Sequence, residues 1–193
     1  MDSSSGGHPA GGTSPGSYAV VAYIPEPLGS FLNAMRAELA PGCALRSHIT
    51  ILPPRRLAAE PEALEAELER LTRNVSEFEV ALGDVEVFPS TGVIYLALSG
   101  GGQSVGQTHA ALNHGVLYAG DCFPFHPHVT IAQSLGAAPF AEVLAAARRK
   151  WQECPYSRQF AVEDLVLARN VAPDRWEDLS RHRLAPVSLL RTA

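Results

Sequence analysis

Two tetrapeptides of one type stand 80 residues apart in this chain, His48-Ile49-Thr50-Ile51 and His128-Val129-Thr130-Ile131. Each sits in a β-branched run that reads as a strand. Side chains alternate faces along a strand, so His and Thr share one face in each copy while Ile or Val points the other way. One apolar and one polar face is the usual pattern of an antiparallel sheet. A chain that places the same polar pair on two such strands is constrained to a fold that uses the strand twice.

The element order repeats around these strands. Tyr18–Ile24 reads as a strand, and residues 27–40 as a helix carrying Leu28, Phe31, Leu32, Met35 and Leu39 at helical spacing before Pro41-Gly42. A strand over Ser47–Leu52 is expected to stop at Pro53-Pro54, followed by a helix over 61–74 and a strand over Phe78–Phe88 bent at Gly83. The order then starts again: strand Val93–Leu98, helix 103–117, strand His126–Gln133, helix 138–151, strand Phe160–Ala168 and a last strand from His182 to Leu190. Tyr18 maps to Val93 at an offset of 75, His48 to His128 at 80, and Phe78 to Phe160 at 82. The expected fold is α+β and bilobal, with lobe 1 at about 18–88 and lobe 2 at about 92–190 in one domain. Each lobe is an antiparallel sheet with two outer helices, related by a pseudo-twofold axis about a central cleft.

Composition narrows the function classes. In 193 residues, 46% are hydrophobic and 18% charged, enough apolar material for a core. A formal charge of −5 excludes a broadly basic nucleic-acid coat but leaves room for a local positive cleft. Cys43, Cys122 and Cys154 form no CxxC pair, which points away from a zinc ribbon and towards a reducing compartment, so a cytoplasmic location is expected. No window approaches the length of a membrane span. Residues 1–17 are rich in Gly, Ser and Pro, lack the basic start and apolar stretch of a signal peptide, and are expected to be a disordered tail.

If the two polar faces meet, two imidazoles and two hydroxyls line one cleft. Imidazole titrates near neutrality, so the pair can supply a general base and a general acid together. The Thr hydroxyls can donate to the non-bridging oxygens of a phosphate held between them. Displacement at phosphorus needs proton transfers on opposite sides, which a two-lobed cleft provides.

With His48-Ile49-Thr50-Ile51-Leu52-Pro53-Pro54 and Phe125-His126-Pro127-His128-Val129-Thr130-Ile131-Ala132, the chain from 18 to about 190 resembles the 2H phosphoesterase superfamily, in its bacterial 2′-5′ RNA ligase-like branch. The resemblance implies a bilobal fold and metal-free chemistry on 2′,3′-cyclic phosphates or 2′-5′ phosphodiesters, with His48, Thr50, His128 and Thr130 as the catalytic set. Loose analogy with the family makes His128 the base and His48 the acid. Many relatives place Arg soon after the second motif, where this chain has Ala132-Gln133. The expected partners are an RNA terminus or a small nucleotide cyclic phosphate, bound by a monomer without a cofactor. The rival class is a non-catalytic binder of nucleotides or RNA ends that uses the same cleft.

Four further residues are candidates for substrate contact. Arg46 and His126 each lie two residues before a motif His and share its face. Arg55 follows Pro53-Pro54 together with Arg56, and Tyr95 could stack on a base, as could Phe88, Phe123 and Phe125. His126 and His128 have spacing that suits a metal ion, but no carboxylate or third His accompanies them in sequence, so no metal is expected. His109 falls on the apolar face of its helix and reads as a core histidine.

Overall fold

A computed structural model describes residues 16–42, 45–120, 123–136, 139–173 and 175–187. The tail over 1–15, Cys43, Cys122 and the end of the expected last strand lie outside the described residues. The first half of the chain gives β1 (Ser17–Tyr23), α1 (Leu28–Leu39), β2 (His48–Arg56), α2 (Pro61–Thr72) and β3 (Phe78–Phe88). The second gives β4 (Val93–Gly100), α3 (Gly102–Leu112), a 3-10 turn at Gly115–Leu117, β5 (His128–Ala132), α4 (Phe140–Gln152), β6 (Gln159–Val162), β7 (Asp164–Ala172) and β8 (Arg175–Arg183).

The helices form where the apolar spacing places them. Leu28, Leu32, Met35 and Leu39 are the buried stripe of α1, and Leu64 and Leu68 that of α2, which opens on Pro61, a residue suited to the first helical turn. Gly101 starts α3 at φ +78°, and a Cβ there would lie 2.2 Å from the Glu79 carbonyl oxygen, so this turn accepts only glycine.

Two antiparallel four-stranded sheets result, in the orders β2-β1-β7-β8 and β5-β4-β3-β6. They are topological twins: β2 matches β5, β1 matches β4, and each motif strand is an edge strand. The sheets abut along these edges, with β2 against β5. Ile49, Ile51, Val129 and Ile131 point into one continuous core with Leu64, Leu68, Leu96, Leu112 and Leu165.

Several expectations need correction. The last strand, expected from His182 onwards, is β8 over Arg175–Arg183 and ends just after His182. The lobes do not divide at residues 89–91, because the end strands are exchanged. β3 pairs with β4 and β6 in the second sheet, while β7 returns from the end of the chain to pair with β1 in the first. Phe78 and Phe160 are therefore neighbours in one sheet rather than symmetry mates; Val80 pairs with Phe160 and Phe78 with Val162. The stretch Phe160–Ala168 is not one strand: β6 ends at Val162 and β7 begins at Asp164 in the other sheet. β2 runs through Pro53-Pro54 to Arg56. Proline lacks a donor, but an edge strand pairs on one side only, so the missing N–H is tolerated there.

Candidate active site

The register of each sheet decides what surrounds each motif. On β1, Tyr23 pairs with His48 and Val21 with Thr50; on β4, Ala97 pairs with His128 and Tyr95 with Thr130. Directly opposed residues share a face. The polar face of the first sheet therefore carries His48, Thr50 and Tyr23 over a small apolar cluster of Ala19, Val21 and Val166, with Trp176 packed against it. The polar face of the second carries His128, Thr130 and Tyr95.

Both histidines make the same bond. His48 Nδ1 lies 2.7 Å from the carbonyl oxygen of Arg46, and His128 Nδ1 lies 2.7 Å from that of His126. A carbonyl can only accept, so each Nδ1 carries the proton and each Nε2 is left for another partner. His48 is pushed down to about 4, first by burial and then by the charges of Arg36 and of His128 itself. His128 is also lowered, by burial and by His126. His128 contributes the smallest of these effects at His48, as expected for rings on the neighbouring edge strands β2 and β5. Burial disfavours the charged form of both, so both are neutral near pH 7.

The walls differ. Around His128, Phe88 stacks on Tyr95 with centroids 4.1 Å apart, and Phe88 meets His128 edge-on at 5.0 Å and His126 at 5.2 Å. Tyr95 lies 5.3 Å from the His128 ring and donates its hydroxyl to Glu86 at 2.9 Å. Around His48, among the described residues, there is one ring, Tyr23, edge-on at 6.4 Å. The Arg46 guanidinium lies 3.8 Å over that ring and 3.7 Å from Asp178, which accepts the Tyr23 hydroxyl at 2.6 Å. Burial and then this hydrogen bond hold the Tyr23 hydroxyl well above its ordinary value, so it remains a donor.

The expected site residues thus divide. His48, Thr50, His128 and Thr130 lie on the facing polar strands, with Arg46 and His126 beside them. Tyr95 is buried and supports the His126 and His128 rings with Phe88. Arg55 faces the protein: it is buried, and its guanidinium donates to Pro53 O, to Asn113 Oδ1 at 2.6 Å and to Leu117 O, tying the end of β2 to the end of α3. Phe125 and His109 pack together as core, stacked at 3.9 Å, with His109 Nδ1 bonded to Ile51 O. Phe123 is exposed. Among the described residues no three His, Cys, Asp or Glu side chains gather where they could hold a metal ion, and no helix is long and apolar enough to cross a membrane.

Tyr23, Asp178 and Arg36 belong to the surroundings of His48, and sequence reasoning passed over all three. Tyr23 was findable in principle, because antiparallel pairing with β2 opposes it to His48. Asp178 arrives through the strand exchange, which leaves no local signal.

The profile of the 2′-5′ RNA ligase superfamily matches residues 24–174. A curated relative named "Putative phosphoesterase", from Geobacillus sp. strain WCH70, is 24% identical over 142 residues, covering 68% of this chain and 77% of its own. Among solved structures, TT0787 of Thermus thermophilus superposes with a TM-score of 0.65 at 20% identity, and apo LigT of E. coli with 0.64 at 19%. Each similarity covers 89% of this chain and 99% of the other. At this identity the structures speak for the fold. With the profile spanning most of the chain, the protein belongs to the 2′-5′ RNA ligase superfamily of phosphoesterases.

Proposed function

We propose that the protein is a metal-independent phosphodiesterase that opens a ribose 2′,3′-cyclic phosphate or cleaves a 2′-5′ phosphodiester, at an RNA end or on a small nucleotide. The observation that carries this reading is the mirrored pair of Nδ1-to-carbonyl bonds, which leaves two Nε2 atoms for one substrate. His128 takes the proton of the attacking water as its oxygen bonds to phosphorus. His48 gives a proton to the departing ribose oxygen as the P–O bond breaks, and the product is a phosphomonoester. A bound phosphate anion offsets the burial that otherwise keeps both rings neutral, so one ring can be protonated in the complex. Thr50 and Thr130 donate to the non-bridging oxygens. Arg46 supplies a cation from the first wall and His126 a ring from the second.

The nucleotide preference is supported by LigT, which has been solved with 3′-AMP, ATP, NADP+ and phosphate. We place the protein in the cytoplasm as a monomer, without a cofactor. The test is a panel of 2′,3′-cyclic mononucleotides, cyclic-phosphate-ended RNA and 2′-5′ dinucleotides, assayed with and without EDTA. Turnover that survives EDTA is expected. Binding without turnover across the panel would make the protein a binding module, and activity lost to EDTA and restored by a divalent ion would overturn the metal-free mechanism.

A further inference from the structure

The two catalytic imidazoles hang from equivalent peptide groups that are held in different ways. His128 bonds the carbonyl of His126, and the peptide unit that contains this carbonyl continues into the nitrogen of Pro127. That nitrogen carries no proton, and the proline ring fixes the φ angle that follows it while biasing His126 to extended backbone. The geometry is set covalently.

His48 bonds the carbonyl of Arg46, and the same peptide unit continues into the N–H of Ser47. No ring restrains it. Instead α1 reaches across and grips both ends. Arg36 Nη1 donates to the Arg46 oxygen at 3.3 Å, and Asn33 Oδ1 accepts from the Ser47 N–H at 2.7 Å. Residues three apart stand on one face of a helix, so Asn33 and Arg36 form a two-point grip. The Arg46 oxygen uses its two acceptor sites on His48 and on Arg36. Arg36 is almost fully buried, and its partners also include groups beyond these two.

We propose that Asn33 and Arg36 are positioning residues for His48: together they lock the Arg46–Ser47 peptide plane, and so fix the tautomer and the aim of the His48 ring, as Pro127 does for His128. The clamp is worth having because a misaimed ring loses rate steeply; an ångström of misplacement can cost about 10²-fold. Arg36 has a second effect that Asn33 lacks. Its charge disfavours protonation of His48, alongside the charge of His128 from β5, whereas the groups at Tyr23 on β1 and at Arg46 meet the ring as an edge and a carbonyl.

This inference rests on His48 being a working part of the proposed reaction, but its first readout does not need activity. In the full chain, imidazole 15N shifts assign the tautomer of each ring, with His48→Gln and His128→Gln identifying the signals. The parent protein shows Nδ1–H in both rings. Asn33→Ala and Arg36→Met mix the tautomers of His48 and leave His128 unchanged. Arg36→Met raises the titration midpoint of His48, whereas Asn33→Ala and Arg36→Lys leave it near the parent's. In turnover both Asn33→Ala and Arg36→Met lower kcat about 10- to 100-fold with KM nearly constant, and Arg36→Lys recovers part of the loss. Asn33→Leu combined with Ser47→Pro, which transplants the solution used at Pro127, restores the His48 tautomer lost in Asn33→Leu alone. Unchanged His48 shifts in Asn33→Ala and Arg36→Met would overturn the clamp, as would equal disturbance of His128. An inactive parent protein with these shifts intact would defeat the phosphodiesterase reading and leave the clamp standing.

Discussion

The two motif strands are alike in sheet position, in their core-facing residues and in how they hold His, and unlike in the walls around them. Each His donates Nδ1–H to the carbonyl two residues before it at 2.7 Å. Around that bond the walls differ. The first wall offers charge: Arg46 over Tyr23, with Asp178 sharing both. The second offers aromatic surface: Phe88, Tyr95 and His126 packed around His128. On the proposed reading, the shared bond keeps the aim of the two Nε2 atoms, and the unlike walls are free to divide the substrate, phosphate charge towards Arg46 and base towards Phe88.

The largest expected effect treats the halves as equals. His48→Ala and His128→Ala each lower kcat/KM by at least about 10²-fold, the usual scale for acid–base catalysis. A variant with near-parent activity would break the symmetry at its root. Next comes Arg55, which separates a structural cation from a functional one. Arg55→Ala removes the charged donor to Leu117 O and to Asn113 Oδ1, which keeps only the Ala119 N–H, so chemical denaturation should show a loss of about 1–3 kcal/mol. Activity per folded molecule should stay near the parent's. A raised KM with stability intact would return Arg55 to the site.

The walls themselves are sharpened by a paired substitution. Arg46→Ala raises KM about tenfold for every phosphodiester tested, whether or not it carries a base; a hydrogen bond to a charged group is worth about 1.5–3 kcal/mol. Phe88→Leu raises KM by a similar factor only for substrates with a nucleobase, since stacking contributes about 1–3 kcal/mol per base. Equal effects of both variants on all substrates would mean that the walls do not divide the work. The smallest effect is the response to salt. With a net charge of −5 and Arg46 proposed as the cation that meets substrate, the log–log slope of kcat/KM against salt should be about −1 to −2 on an oligonucleotide end. A slope steeper than about −4 would require a basic track along the surface.

Much of this was legible in the residues, and the part that was not has physical reasons. Period-2 and period-3.6 spacing placed β1, α1, α2 and β4 to within a few residues, because burial of a face is written in the local pattern. The His-x-Thr pairs were legible because they repeat. The strand exchange was not: periodicity says which face of a strand is buried, not which sheet it joins. The break at Glu163 between β6 and β7 carries no Gly or Pro, so it read as continuous strand. Pro53-Pro54 read as a stop because an edge position cannot be known before the sheet order. Arg36 lies on the buried face of α1 between Leu32 and Leu39, and Asn33 beside it, but nothing in a single sequence says that the partner of such a polar side chain is a peptide group at the start of β2.

Whether His48 and His128 act as one acid–base pair is read from the pH profile of kcat/KM. That profile reports the free protein, in which one ring must be protonated and the other neutral. His48 sits at about 4 and His128 below its ordinary 6.5. Below the window the base is protonated, and above it both rings are neutral. We predict a bell whose maximum lies on the acid side of pH 6.5, and the loss of one limb in each of His48→Gln and His128→Gln. A parent profile that is flat across pH 4–8, or a complete bell surviving in either variant, would contradict it.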